Sequence, residues 1–149
     1  MIDYRQDARP SLDAIRQLYA AAPLRRPIED PARVKAMFDH ANLVLSAWDG
    51  SRLVGLLRGW SDFVYDGYIC DLAVHPGYHR QGIGRELLDR AVALGPGISW
   101  VLLAAPMAKD YYAALGWEAV PNGWRRARKD GMPSYEEFRA RFQDLAVKA

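Results

Sequence analysis

The chain has 149 residues, half of them hydrophobic and 26% charged, with a formal net charge of +2. That composition suits a globular chain with one hydrophobic core, excludes intrinsic disorder, and lacks the strong basic stripe of a nucleic-acid reader. Cys70 is the sole cysteine, which excludes an internal disulfide and a cysteine cluster for structural zinc. No apolar run approaches the roughly 20 residues of a membrane helix. Residues 1–9 are charged and polar, unlike a signal peptide, so we expect a cytoplasmic protein with no membrane partner. Neither a repeat nor a Gly/Ser linker divides the chain, and one domain over 1–149 is expected.

In chain order, residues 2–5 read as a short strand. Ser11 is a helix N-cap ahead of Leu12, Ile15, Leu18 and Tyr19 at helical spacing, and Pro23 and Pro27 end that helix. Pro31 suits the first turn of a second helix after Asp30, with Val34, Met37 and Phe38 on one face. Residues 43–48 and 52–60 read as a hairpin about Asp49-Gly50. A strand over 65–74 stops at His75-Pro76-Gly77, and a helix over 82–94 carries Leu87, Leu88, Ala91 and Val92 inward. The apolar run 98–104 predicts a strand covered on both faces. A short helix over 108–115 ends at Gly116, and 117–120 is expected to pair with 124–127 through Pro121-Asn122-Gly123. Ser134 caps a last helix bearing Tyr135, Phe138, Phe142 and Leu145. The expected fold class is α/β (α+β): a mixed, mainly antiparallel central sheet with helices on both faces.

The most informative stretch runs from Asp71 to Leu88. An apolar strand enters a turn, and Gly82 and Gly84 then open a helix. A helix N-terminus offers unsatisfied N–H donors and a positive dipole end, which together suit a pyrophosphate. Glycine there lets phosphate oxygens approach the backbone. The same glycines also serve a plain strand-to-helix turn. A dinucleotide fingerprint would need a third glycine where Leu87 stands, and no Gly-Lys-Ser/Thr supports a nucleotide P-loop.

His79-Arg80-Gln81-Gly82-Ile83-Gly84 resembles the signature of the GCN5-related N-acetyltransferases (GNAT): Gln or Arg, two residues, Gly, one residue, then Gly or Ala. His79 departs from the first position. Tyr111-Tyr112-Ala113-Ala114-Leu115-Gly116-Trp117 resembles that family's Phe-Tyr-x-x-Leu-Gly-Phe segment, with Trp117 for the usual Phe. The resemblance implies a GNAT-like sheet, acetyl-CoA as acyl donor, no metal, and direct transfer of acetyl to an amine. It implies backbone contacts to the pantetheine arm from Leu72, Ala73 and Val74. It draws the pyrophosphate donors from Gln81, Gly82, Ile83, Gly84 and Arg85, and counts His79 and Arg80 among the cofactor-binding residues. Arg80 and Arg85 either add charge there or are solvated. Tyr112 falls on the family's frequent general acid, a donor to the departing thiolate; its other reading is a core tyrosine, although Tyr111 reads as the core member of the pair. Ala105-Pro106 stand where many relatives carry a polar residue.

An alkylammonium must lose a proton before attack. Asp71, a charge interrupting an apolar strand, is the first candidate base; pairing with an arginine is the alternative. Asp62, Asp66 and Glu29 are weaker options. Trp60, Phe63, Tyr65 and Tyr68 are expected to form the acceptor pocket, suiting a small, aromatic amine, or else to pack in the core. Two further readings stand beside this one: a non-catalytic acyl-CoA-binding or sensing module, and an acetyltransferase acting on a protein amine. Cys70 has no histidine placed to activate it, which disfavours an acyl-enzyme. His75 and His79 do not share a helix face, so no metal site is expected. The basic run Arg125-Arg126-Ala127-Arg128-Lys129 is either a solvated face or an anion-steering patch. No nucleic-acid partner is expected, and homodimer assembly is left open.

Overall fold

The computed structural model describes residues 1–6 and 8–149. Strands β1 (Ile2–Arg5), β2 (Leu43–Asp49), β3 (Arg52–Ser61) and β4 (Asp66–Val74) form an antiparallel meander, and β5 (Ser99–Leu102) adds parallel to β4. A parallel join requires a crossover, and helix α3 (Ile83–Val92) supplies it. Helices α1 (Leu12–Ala21), α2 (Pro31–Asp39), α4 (Lys109–Ala114) and α5 (Tyr135–Ala146) complete the fold.

The helix starts follow local chemistry. Ser11 Oγ accepts from the Ala14 amide and Asp30 Oδ1 from the Arg33 amide, each at 3.1 Å, with Pro31 in the first turn of α2. Ser134 and Glu137 form a reciprocal capping box at α5. Each cap is worth about 1 kcal/mol.

Alternation along the strands gives the sheet two apolar faces. On one face, Ile15, Leu18 and Tyr19 of α1, Val34 and Phe38 of α2, and Phe138 of α5 pack on Val44, Leu56 and Ala73. On the other, Ile83, Leu87, Leu88 and Ala91 of α3 pack on Leu45, Ala47, Leu57 and Ile69, joined by Tyr112 and Leu115 from α4 and its cap. The mixed sheet with helices on both faces agrees with the sequence expectation.

Three expectations are corrected. The strand over 98–104 shrinks to four residues and is covered on one face only: Val101 is 45% exposed, because β5 is the outer strand and α4 reaches one side of it. Residues 117–120 and 124–127 form no strand pair, and Trp124 is 97% exposed. Four residues of β5 are a short template, and Pro121 brings no N–H to a ladder. Val92 faces outward, since it lies at the last turn of α3, about 100° from the centre of the buried stripe.

Candidate functional site

β4 and β5 pair only from Asp66↔Ser99 to Ile69↔Leu102. Beyond Ile69, residues 71–74 stay paired with β3 while the chain after β5 turns away, so a wedge opens along the outer edge of β4. Within that stretch Arg58 faces Asp71 and Gly59 faces Ile69, leaving Cys70 as the extra residue of a bulge. A bulge re-aims the side chains around it.

At the head of the wedge the chain turns through residues 75–82 into α3. His75 Nδ1 accepts the Gly77 amide at 3.0 Å. The His79 ring lies back on the Val74 carbonyl, Nε2 to O 3.1 Å; a carbonyl only accepts, so Nε2 carries the proton in that contact. Arg80 (φ 62) and Gly82 (φ 77) both adopt the left-handed conformation, the kind of alternation that turns successive amides inward as an anion-binding nest. Gly82 starts α3 with no side-chain cap, unlike α1, α2 and α5. The first helical bond comes from the Glu86 amide to Gly82 O, which leaves the amides of Ile83, Gly84 and Arg85 ahead of it. The cofactor residues expected from the sequence therefore meet at one place. The Ile83 side chain is buried, which leaves only its backbone facing the turn; Gln81 and Arg85 are exposed, Arg85 lying 3.6 Å from Asp89.

α4 sets its tyrosines across the wedge. Tyr112 packs edge-on against Trp117 (6.1 Å) and Tyr111 (5.3 Å), and its ring joins the α3-side core. Burial, then the neighbouring Tyr111, pushes its hydroxyl up to about 12. Tyr111 is the more exposed of the two, at 39%, and its hydroxyl lies over Gly84. The expected division, with Tyr111 as the core member, is thus reversed: α4 is short, and Tyr112 is the one packed against the α3-side core.

Asp71 is 1% exposed and fully partnered. Arg26 Nε reaches Oδ1 at 2.7 Å; Arg58 Nε at 2.6 Å and the Tyr19 hydroxyl at 2.8 Å donate to Oδ2. Burial alone would raise this carboxyl, but Arg26, then Arg58 and Tyr19, hold it below the ordinary carboxylate value. Asp71 thus follows the alternative reading given for it, pairing with arginine: each oxygen already accepts a donor, and the carboxylate anchors a buried ion cluster. Cys70 sits beside it, accepting at Sγ from Arg58 Nη2 (3.2 Å) and at its carbonyl from Arg26 Nη2 (2.9 Å). Burial, then the Asp71 charge, raises the thiol, so it stays protonated. The sequence reading missed Tyr19, Arg26 and Arg58. One signal was available: Arg58 interrupts an apolar strand just as Asp71 does.

Of the four aromatic residues expected around an acceptor, two come together. Trp60 and Tyr68 are register partners and stack at 6.4 Å with planes 14° apart. They floor a groove of about 450 Å³ with Val101, Ser61, Gly67 and the carboxylates Asp62 and Asp66. Phe63 and Tyr65 project from the β3–β4 turn and do not line it. Asp62 Oδ1 accepts the amides of Val64, Tyr65 and Asp66, which hold its carboxyl low. Among the described residues no three His, Cys, Asp or Glu gather as metal ligands, and no helix is long and apolar enough to cross a membrane.

A sequence profile of the Acetyltransferase (GNAT) family matches residues 12–117. An uncharacterised N-acetyltransferase (ycf52-like) of Prochlorococcus marinus is 36% identical over 110 residues, 69% of this chain and 59% of that protein. A histone acetyltransferase of Glycine max is 36% identical over 75 residues, 48% of this chain and 32% of that protein. A chloroplastic serotonin N-acetyltransferase of Oryza sativa subsp. japonica is 27% identical over 119 residues, 75% and 58% of the two chains. The chain thus spans three-fifths or less of these relatives. A probable acetyltransferase of methicillin-resistant Staphylococcus aureus superposes with a TM-score of 0.74 at 19% identity, covering 87% of this chain and all of that one, a likeness of fold.

Proposed function

Because the chain belongs to the acetyltransferase (GNAT) family, we propose that it takes acetyl-CoA into the wedge between β4 and β5 and passes the acetyl group directly to an amine. The observation that carries this is the uncapped start of α3, reached through two left-handed residues at the mouth of the wedge. The donor set is neutral amide hydrogens at a positive helix end, with no Cβ at Gly82 and nothing within 4 Å of where one would stand, which fits a pyrophosphate. The open edge of β4 at Leu72, Ala73 and Val74 suits the amide-bearing pantetheine arm.

In the reaction the amine lone pair attacks the thioester carbonyl, the C–S bond breaks, and the amine's proton leaves while the thiolate departs. With Tyr112 pushed up to about 12 and a thiol near 8.5, full proton donation to sulfur is uphill by about 5 kcal/mol. Tyr112 therefore acts as a hydrogen-bond donor to charge developing on sulfur. The half-buried, protonated Cys70 supports transfer without an acyl-enzyme.

The acceptor reading rests on the groove. A stacked Trp60–Tyr68 floor with Asp62 and Asp66 at its rim suits a cationic or aromatic alkylamine. Asp66 has no amide on its carboxylate among the described residues and is the better placed of the two to receive a proton through water. A protein amine is the second reading, favoured by the groove's open outer side along Val101 and by the relative named a histone acetyltransferase. Thiol release from acetyl-CoA with an aryl-alkyl amine, a short polar amine and a histone-tail peptide separates them. Preference for the aryl-alkyl amine supports the first reading, preference for the peptide supports the second, and turnover of the short polar amine alone sinks both.

A further inference from the structure

Tyr111 stands over the start of α3 in a way that packing does not explain. A methyl group on Gly84 would lie 2.6 Å from the Tyr111 Oη, so the phenol oxygen fills the space an alanine side chain would need. The signature that this segment resembles allows Gly or Ala at that position; with Tyr111 opposite, an alanine would force the phenol aside. A phenylalanine would make the same edge-on contact with Tyr112 without crowding Gly84. The hydroxyl thus crowds Gly84 and returns no hydrogen bond to the protein among the described residues.

Its position accounts for it. Gly84 is the second residue of α3, and its amide is one of those left ahead of the first helical bond. We infer that the Tyr111 hydroxyl is a side-chain donor to the pyrophosphate of bound coenzyme A, completing from α4 the cradle that α3 builds from backbone. This rests on the acetyl-CoA reading proposed above. Burial, then the Asp89 charge, raises the phenol, so it keeps its proton at neutral pH and can donate to an anion.

Isothermal titration with coenzyme A and with dephospho-coenzyme A, which lacks only the 3′-phosphate, tests the inference. Tyr111→Phe should weaken both ligands by the same factor, roughly tenfold for one hydrogen bond to a charged group, with little change in melting temperature. Gly84→Ala should weaken binding further in the wild-type background than in Tyr111→Phe, where the methyl has room. Binding by Tyr111→Phe equal to wild type overturns the inference and leaves the acetyl-CoA reading standing. A loss seen with coenzyme A but absent with dephospho-coenzyme A also overturns it, since the contact would then be to the 3′-phosphate. Failure of the wild type to bind either ligand overturns the acetyl-CoA reading and this inference together.

Discussion

Arg58 and Asp71 face each other in the β3–β4 register and are joined by a 2.6 Å ion pair with the arginine side chain only 4% exposed. Arg26 supplies a second guanidinium to the same carboxylate, and Tyr19 a hydroxyl. The cluster ties the loop after α1 to the bulge at Cys70, so the strand that would carry the thioester is fixed from the opposite face of the sheet.

Removing the carboxylate strands a buried arginine. Asp71→Ala should cost roughly 3–5 kcal/mol, read by urea denaturation, with activity lost through unfolding. A variant that keeps wild-type stability would mean that the cluster is not a structural anchor.

The same cluster sets an acid limit. Asp71 titrates below its ordinary value of 3.8 in the folded chain, so as pH falls the unfolded chain binds this proton first. Its stabilisation is fully present above about pH 4 and disappears as pH falls through the lower folded value. Denaturation midpoints measured from pH 6 to pH 2 should drop in that window for wild type and more shallowly for Asp71→Asn.

Gly82 has φ 77 and nothing within 4 Å of an added Cβ, so Gly82→Ala meets backbone strain alone, about 1–2 kcal/mol. Coenzyme A affinity should fall as the turn relaxes from its left-handed conformation. Unchanged affinity would place the phosphates elsewhere.

Asp66 lies at the rim of the groove, exposed. Asp66→Asn should raise KM for a cationic acceptor by about threefold, as one exposed charge is worth under 1 kcal/mol, while coenzyme A affinity stays constant. A matching loss for a neutral acceptor would contradict a charge role.

Much of this architecture is legible in the sequence because it is local. Ser11, Asp30 and Ser134 announce their helices by side-chain capping, and Asp49-Gly50 announces the β2–β3 turn, with Gly50 at φ 60. The phosphate turn is legible too, since glycine spacing and a helix start lie within one short segment. Partners far apart in the chain are less so: Arg26 and Asp71 are separated by 45 positions, and only the folded sheet shows that the carboxylate has no free oxygen. Residues 117–127 mislead for the complementary reason. Their strand propensity is real, but a strand also needs an edge to pair with, and β5 offers four residues. The inversion of Tyr111 and Tyr112 has the same origin, because a six-residue helix carries too little periodicity to say which neighbour points inward.

Direct transfer is most simply tested by following thiol release from acetyl-CoA with and without an amine, in wild type and Tyr112→Phe, with mass spectrometry of the protein itself. We expect release only when amine is present, no acetyl adduct on the chain, and a kcat about a hundredfold lower in Tyr112→Phe with little change in coenzyme A affinity, as for loss of a donor to developing charge. Thiol release without amine, with an acetyl group left on Cys70, would contradict the account.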